Sequence, residues 1–217
     1  MSPRMAQVLR YLLVALLAFG CFVALGFDVV RRGEPSALWS WEHSIVNHSS
    51  LVAWWLTWAC YVYVMFPIAV GLLFVAWLLP AWRTRALFSV AMLLLCWFGA
   101  DFFQHVFARP RRLDWVVKHE TAFSYPSSHA TIATGFYGLW ALILYCSELS
   151  STRKIAAFLL VLFAIAICWA RLALGAHYLT DLAGGALLAI ALVSAGLAIV
   201  PGGIFPPVAG RPFGPAE

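Results

Sequence analysis

Arg171, His177 and Asp181 fall in one short stretch, Ala-Arg-Leu-Ala-Leu-Gly-Ala-His-Tyr-Leu-Thr-Asp (Ala170 to Asp181), which closes a long apolar run. A cation, an imidazole and a carboxylate so placed are the makings of a nucleophile. If a helix starts near His177, the four-residue step to Asp181 puts both side chains on one face. The carboxylate then holds one ring nitrogen and leaves the other directed outward as a base or nucleophile. Ionisable groups beside lipid are tolerated mainly where they pair or line a wet cavity, which favours a functional reading of all three.

A second polar stretch reads Ala-Arg-Pro-Arg-Arg (Ala108 to Arg112) and then Tyr-Pro-Ser-Ser-His-Ala (Tyr125 to Ala130). Pro126, Ser127 and Ser128 signal a helix start, whose free backbone N–H groups suit an anion. His129 then sits in the first turn, aimed at the same anion. Arg109, stiffened by Pro110, is a candidate bidentate clamp for phosphate oxygens. Two arginines, a helix N-terminus and two histidines supply charge stabilisation, a nucleophile and a proton donor. That is what phosphoryl transfer requires when no metal is used. No His, Cys or acidic cluster has the spacing of a zinc or magnesium site, so neither metal nor cofactor is expected.

The elements that must position these residues are membrane helices. Of 217 residues, 64% are hydrophobic and only 11% charged, where a soluble domain carries roughly a quarter charged; the mean hydropathy is +0.89. Six apolar runs span about Val8 to Val29, Leu51 to Leu79, Ala86 to Ala108, Ala130 to Cys146, Ile155 to Ala170 and Leu182 to Val200, near the roughly 20 residues a crossing needs. The fifth is the shortest, roughly 16 residues or ~24 Å, which puts Lys154 and Arg171 near the interfaces. The first is read as a retained span, since it is longer than a signal-peptide core and lacks a clean cleavage site. The expected fold is therefore all-α, a single domain of six transmembrane helices (1–217, motif-bearing core about 86–200) with its site at one membrane face. The five cysteines fall within or at the ends of spans and form no disulfide framework. The net charge of +5 is dispersed over short loops, which excludes a nucleic-acid footprint.

Two crossings separate the Arg109–His129 stretch from the Arg171–Asp181 stretch, so both lie on one face whatever the orientation. The fourteen Lys and Arg divide evenly between the faces, and the positive-inside rule alone does not decide. Short basic loops on the face opposite the site favour cytoplasmic termini and a site facing the periplasm or exterior. Trp39 and Trp41 read as an interfacial anchor lying on the membrane. His43, His48 and His105 read as structural, Asp101 as paired with a neighbouring span, and Gly184-Gly185 as a close helix contact.

With these residues in place, the chain resembles the type 2 phosphatidic acid phosphatases, relatives of the vanadium haloperoxidases and bacterial acid phosphatases. The family's Ser-Arg-x5-His-x3-Asp motif matches at Arg171, His177 and Asp181, its Pro-Ser-Gly-His motif at Pro126, Ser127 and His129, and its Lys-x6-Arg-Pro motif at Arg109 and Pro110. The resemblance covers roughly residues 50–200. It implies that His177 attacks phosphorus to form a phosphohistidine, Asp181 orients it, and His129 protonates the leaving oxygen. Arg109, Arg171, Ser127 and the backbone near Ser128 then hold the phosphate. Three positions depart from the motifs: Phe102 for lysine, Ser128 for glycine and Ala170 for serine. The lost lysine weakens the pocket unless Arg111, Arg112 or Lys118 reaches in, and Arg112 is the candidate substitute.

The loops are short, so the site sits at headgroup level and takes a lipid-linked phosphate sideways from the membrane, past Trp115, Phe123 and Tyr125. By family analogy the favoured substrate is undecaprenyl diphosphate in a bacterial inner membrane. Phosphatidic acid, phosphatidylglycerol phosphate, lipid A phosphates and sphingoid phosphates stay open. An anion transporter is disfavoured because the polar groups collect on one face and no hydropathy repeat is visible. Retention of His129, His177 and Asp181 argues against an inactive phosphate-binding protein, and membrane embedding against haloperoxidase chemistry.

Overall fold

The computed structural model describes residues 2–46, 50–111, 122–147, 150–200 and 204–205, and within them the chain is helical with no strand. Six helical stretches are long and apolar enough to cross a membrane: Pro3–Arg32, Leu51–Leu78, Pro80–Phe107, Ser128–Cys146, Ser151–Ala173 and Leu179–Ile199. They coincide with the six expected spans, but the fifth is not the shortest. It runs 23 residues, because Ser151–Lys154 at its head and Arg171 at its foot join the helix, and the 19-residue fourth span is shorter. Polar residues continue a helical ladder that hydropathy alone cuts off.

Helix α1 (Pro3–Arg32) opens on the Ser2 side chain, with Pro3 at its first position, and stops at Gly33, whose φ of 78° suits glycine. A short α2 (Ser36–Ile45) follows, with Trp39 and Trp41 exposed and Glu42 fully buried. The second span is two helices, α3 (Leu51–Trp58) and α4 (Val62–Leu78), broken at 59–61. Then come α5 (Arg83–Phe107), a fourth span made of α6 (Ser128–Ile132), a π-helical turn (Ala133–Gly138) and α7 (Leu139–Cys146), and finally α8 (Ser151–Ala173) and α9 (Leu179–Ile199).

The fourth and sixth spans form the centre of the bundle, 61% and 56% buried against 17% for the second. α1 lies along α9, α6 packs on α9 and α5, and α3 and α7 lean on α8. Glycines permit the closest approaches. A Cβ on Gly184 would stand 2.3 Å from the Tyr125 ring, and one on Gly185 would stand 2.6 Å from the Ser127 carbonyl oxygen. The expected close contact at this pair is thus between α9 and the segment that leads into α6.

Tyr125 is a wedge in this contact and does not line a lipid path as the sequence reading expected. It is fully buried, stacked on Phe22 at 5.5 Å and edge-on to Phe107 at 5.1 Å, and its hydroxyl donates to the Phe22 carbonyl at 2.6 Å. The glycine gaps at 26 and 184 are what admit the ring. Phe123 is partly exposed beside His105, and Trp115 lies outside the described residues.

Candidate active site

His177 and Asp181 meet as their spacing predicts, with Nδ1 3.3 Å from Oδ2 and both side chains fully buried. α9 begins just after the histidine, at Leu179, and Asp181 accepts the Tyr178 N–H at 3.0 Å in a capping box. The carboxylate is therefore fixed before it reaches the imidazole. On the other side of the ring, Nη1 of Arg111 stands 3.1 Å from Nε2. A guanidinium only donates, so Nε2 is the acceptor and the proton sits on Nδ1, facing Asp181. That tautomer turns the Nε2 lone pair away from Asp181 and toward Arg111, a cation able to exchange this contact for a phosphate oxygen.

Of the three cations considered in place of the motif lysine, Arg111 lies among the described residues and reaches His177. The sequence reading set the motif on Phe102 and Arg109, but Phe102 is 61% exposed on the outer face of α5. Gln104 and Arg111 keep the same seven-residue separation and both turn inward. Gln104 is buried and donates to the Pro126 carbonyl at 2.9 Å, while Arg111 reaches His177 and is tied to the Ala122 carbonyl at 2.6 Å and the Ala176 carbonyl at 3.1 Å. The inward-facing pair thus lies two residues further on than Phe102 and Arg109, since two positions along α5 turn a side chain from lipid to the bundle. Arg112 and Lys118 lie outside the described residues.

Arg109, expected as a phosphate clamp, is committed to carboxylates. Its Nη1 lies 2.5 Å from Asp181 Oδ1 and 2.8 Å from the Thr180 hydroxyl, its Nη2 lies 2.9 Å from Glu34 Oε2, and its face covers the Tyr178 ring at 4.1 Å. Burial disfavours its charge, but Asp181 and Glu34 outweigh that and hold its pKa above the ordinary arginine value. Ser124 joins the cluster, donating to the Pro110 carbonyl at 3.1 Å and lying 3.4 Å from Asp181 Oδ1.

The second motif closes the site from α6. Ser127 caps that helix, its Oγ accepting from the Ala130 N–H at 3.4 Å, and its own N–H donates to the Asp181 carbonyl at 3.0 Å. This bond joins the two polar stretches on one face, as the parity of crossings requires. Ser128 is the first helical residue and is half-buried. His129 is buried, bonds the Thr57 backbone, and packs edge-on to Tyr61 at 5.0 Å; its Nε2 has no partner among the described residues. Arg171, His177 and Arg111 are the ionisable side chains that bear on it. Arg171 is fully buried in the last turn of α8, its Nη1 2.8 Å from the Thr57 hydroxyl.

Sequence reasoning missed Glu34, Glu42, Thr57, Ser124 and Thr180. Glu42 gave a signal, since it shares an α2 stripe with Leu38 and Ile45, and an acid on an apolar stripe needs a partner. Its Oε1 accepts the Leu179 N–H at 2.6 Å. Asp101, expected to pair across spans, is exposed and serves His105 of its own helix, whose Nδ1 is 2.8 Å from the Asp101 carbonyl.

This fold is similar to that of a solved protein, the crystal structure of the first transmembrane PAP2 type phosphatidylglycerolphosphate phosphatase from Bacillus subtilis. The TM-score is 0.66 over 86% of this chain and 95% of that one, at 20% identity, a likeness of fold. No curated protein sequence matches. The sequence pattern of the PAP2 superfamily matches residues 8–203, a range that contains every residue of the site around His177, and the chain accordingly belongs to the PAP2 superfamily.

Proposed function

We propose that the protein is a metal-independent membrane phosphatase acting on a lipid phosphate or diphosphate through a phosphohistidine on His177. The observation that carries the reading is the arrangement around one imidazole: Asp181 on Nδ1, the donor Arg111 beside Nε2, and His129 buried nearby with its Nε2 open. Nε2 attacks phosphorus as the P–O bond to the leaving group breaks, an ester bond in a lipid phosphate and an anhydride bond in a diphosphate, and His129 gives its proton to the departing oxygen. Water then attacks the phosphohistidine, returning a proton to His129 and releasing phosphate. Arg111, Arg171 and the backbone near Ser128 hold the phosphoryl oxygens, with Ser127 capping the helix beside them, while Arg109 serves Asp181.

The favoured substrate is undecaprenyl diphosphate, with phosphatidylglycerol phosphate next because the similar solved structure is described as acting on it. In this reading the protein lies in a bacterial inner membrane with cytoplasmic termini and an outward-facing site. The test is phosphate release in detergent with EDTA, from a panel of lipid phosphates and diphosphates, comparing the native chain with His177→Ala. Release abolished in the variant supports the reading and ranks substrates. Native activity that vanishes in EDTA and returns with Mg²⁺ overturns metal independence, and an active His177→Ala overturns the phosphohistidine.

A further inference from the structure

Glu34 leaves α1 at the Gly33 turn and enters the site from a part of the chain that carries none of the motifs. Its side chain is 2% exposed, with Oε2 2.9 Å from Arg109 Nη2 and accepting the Thr180 hydroxyl, and Oε1 3.4 Å from the Thr180 N–H. Arg109 spends its other terminal nitrogen on Asp181. Without Glu34 one guanidinium would neutralise the one carboxylate that supports His177. With it, two carboxylates share one cation, and the cluster keeps a net charge of minus one against the imidazole.

Resting on the reading of His177 as nucleophile, we infer that Glu34 is a positioning residue that shares Arg109 with Asp181 and so preserves a net negative charge behind the phosphohistidine. The imidazole becomes positively charged as it attacks phosphorus, and a net-negative cluster on its Nδ1 side favours that change. The other charged groups around the ring are Arg111 from the loop, His129 from α6 and Arg171 from α8, and Glu42 reaches the same end of α9 from α2. Glu34 touches none of the reacting atoms, and it acts through Arg109.

The test measures phosphate release and its pH profile for Glu34→Gln, Glu34→Asp and the pair Glu34→Gln with Arg109→Gln, all in the full-length chain. Glu34→Gln is expected to lower kcat about ten- to hundredfold, the usual loss when an outer partner of a functional histidine goes, with KM little changed. Its acid limb moves to lower pH, because the imidazolium has lost a negative neighbour. Glu34→Asp keeps the charge and the native limb. The double variant restores the net charge and is more active than Glu34→Gln alone. A native limb in Glu34→Gln, or a Glu34→Asp as impaired as the glutamine variant, overturns the inference. Should Glu34→Gln fail to fold, the limb of Glu34→Asp decides: unmoved it supports the role of charge, and displaced it refutes it. If His177→Ala is active in the same assay, the reading of the site fails instead.

Discussion

Replacing Arg111 by alanine tests the reassigned register and the phosphate pocket together. Its guanidinium is held by the Ala122 and Ala176 carbonyls, so it points at His177 Nε2 before any substrate arrives. Such preorganised donors, aimed at charge that develops in the transition state, are each worth about 2.7–4 kcal/mol, or roughly 10²- to 10³-fold in kcat. Arg111→Ala is therefore expected to lose activity on that scale. Arg111→Lys recovers only part of it, because an ammonium keeps the charge but cannot span both carbonyls and the ring. Steady-state phosphate release in detergent, with His177→Ala as the blank, measures both. Arg111→Ala within about threefold of native, beside a strongly impaired Arg112→Ala, would refute the assignment, because the loss would then fall short of even one oriented charged hydrogen bond.

Further expectations concern the packing that aims these groups. Gly184→Ala drives a Cβ to 2.3 Å from a Tyr125 ring anchored on the Phe22 carbonyl, so overpacking should cost about 1–3 kcal/mol, read by thermal unfolding in detergent. Tyr125→Phe loses that hydrogen bond at about 1 kcal/mol. Burial pushes the Tyr125 phenol above its ordinary pKa, so the group stays neutral through any working range; the alkaline limb of the rate profile should be the same in Tyr125→Phe and the native chain. Glu42→Ala leaves the Leu179 N–H without its acceptor and is expected to destabilise the fold by about 1–3 kcal/mol, again read by unfolding.

What was legible in the sequence was local or periodic. His177 and Asp181 are four residues apart and meet through the geometry of a single helix start, and six apolar runs became six helical spans. The arginine motif was harder, because Arg109 and Arg111 sit two apart after one helix, and only the rotation of α5 shows that Gln104 faces inward and Phe102 outward. Glu34 could not be read as a site residue, and Glu42 showed only as an acid on an apolar stripe, with nothing to name its partner. Their partners at the head of α9 lie 146 and 137 positions away, and nothing in a single sequence records a contact at that distance. Tyr125 misled for a related reason: an aromatic beside a polar loop suits a lipid path as well as a core wedge, and the glycines that make room for it belong to α1 and α9.

The two helix starts at this face divide the work between them. Three of the chain's nine acidic residues converge on α9, where Asp181 takes the Tyr178 N–H, Glu42 the Leu179 N–H and Glu34 the Thr180 N–H. A helix N-terminus ordinarily attracts anions through its free N–H groups and its dipole, but this one is already filled by carboxylates of the protein itself. An incoming phosphate gains nothing there and is repelled by the acids. The start of α6 has no such acidic cover among the described residues: Ser127 satisfies the Ala130 N–H with its own hydroxyl, and Arg171 and Arg111 are the charges that bear on His129. On the proposed reading the filled helix start fixes the nucleophile and the α6 start receives the phosphate, so exchanging the carboxylates on α9 without the arginines around α6 is expected to cost the site its polarity.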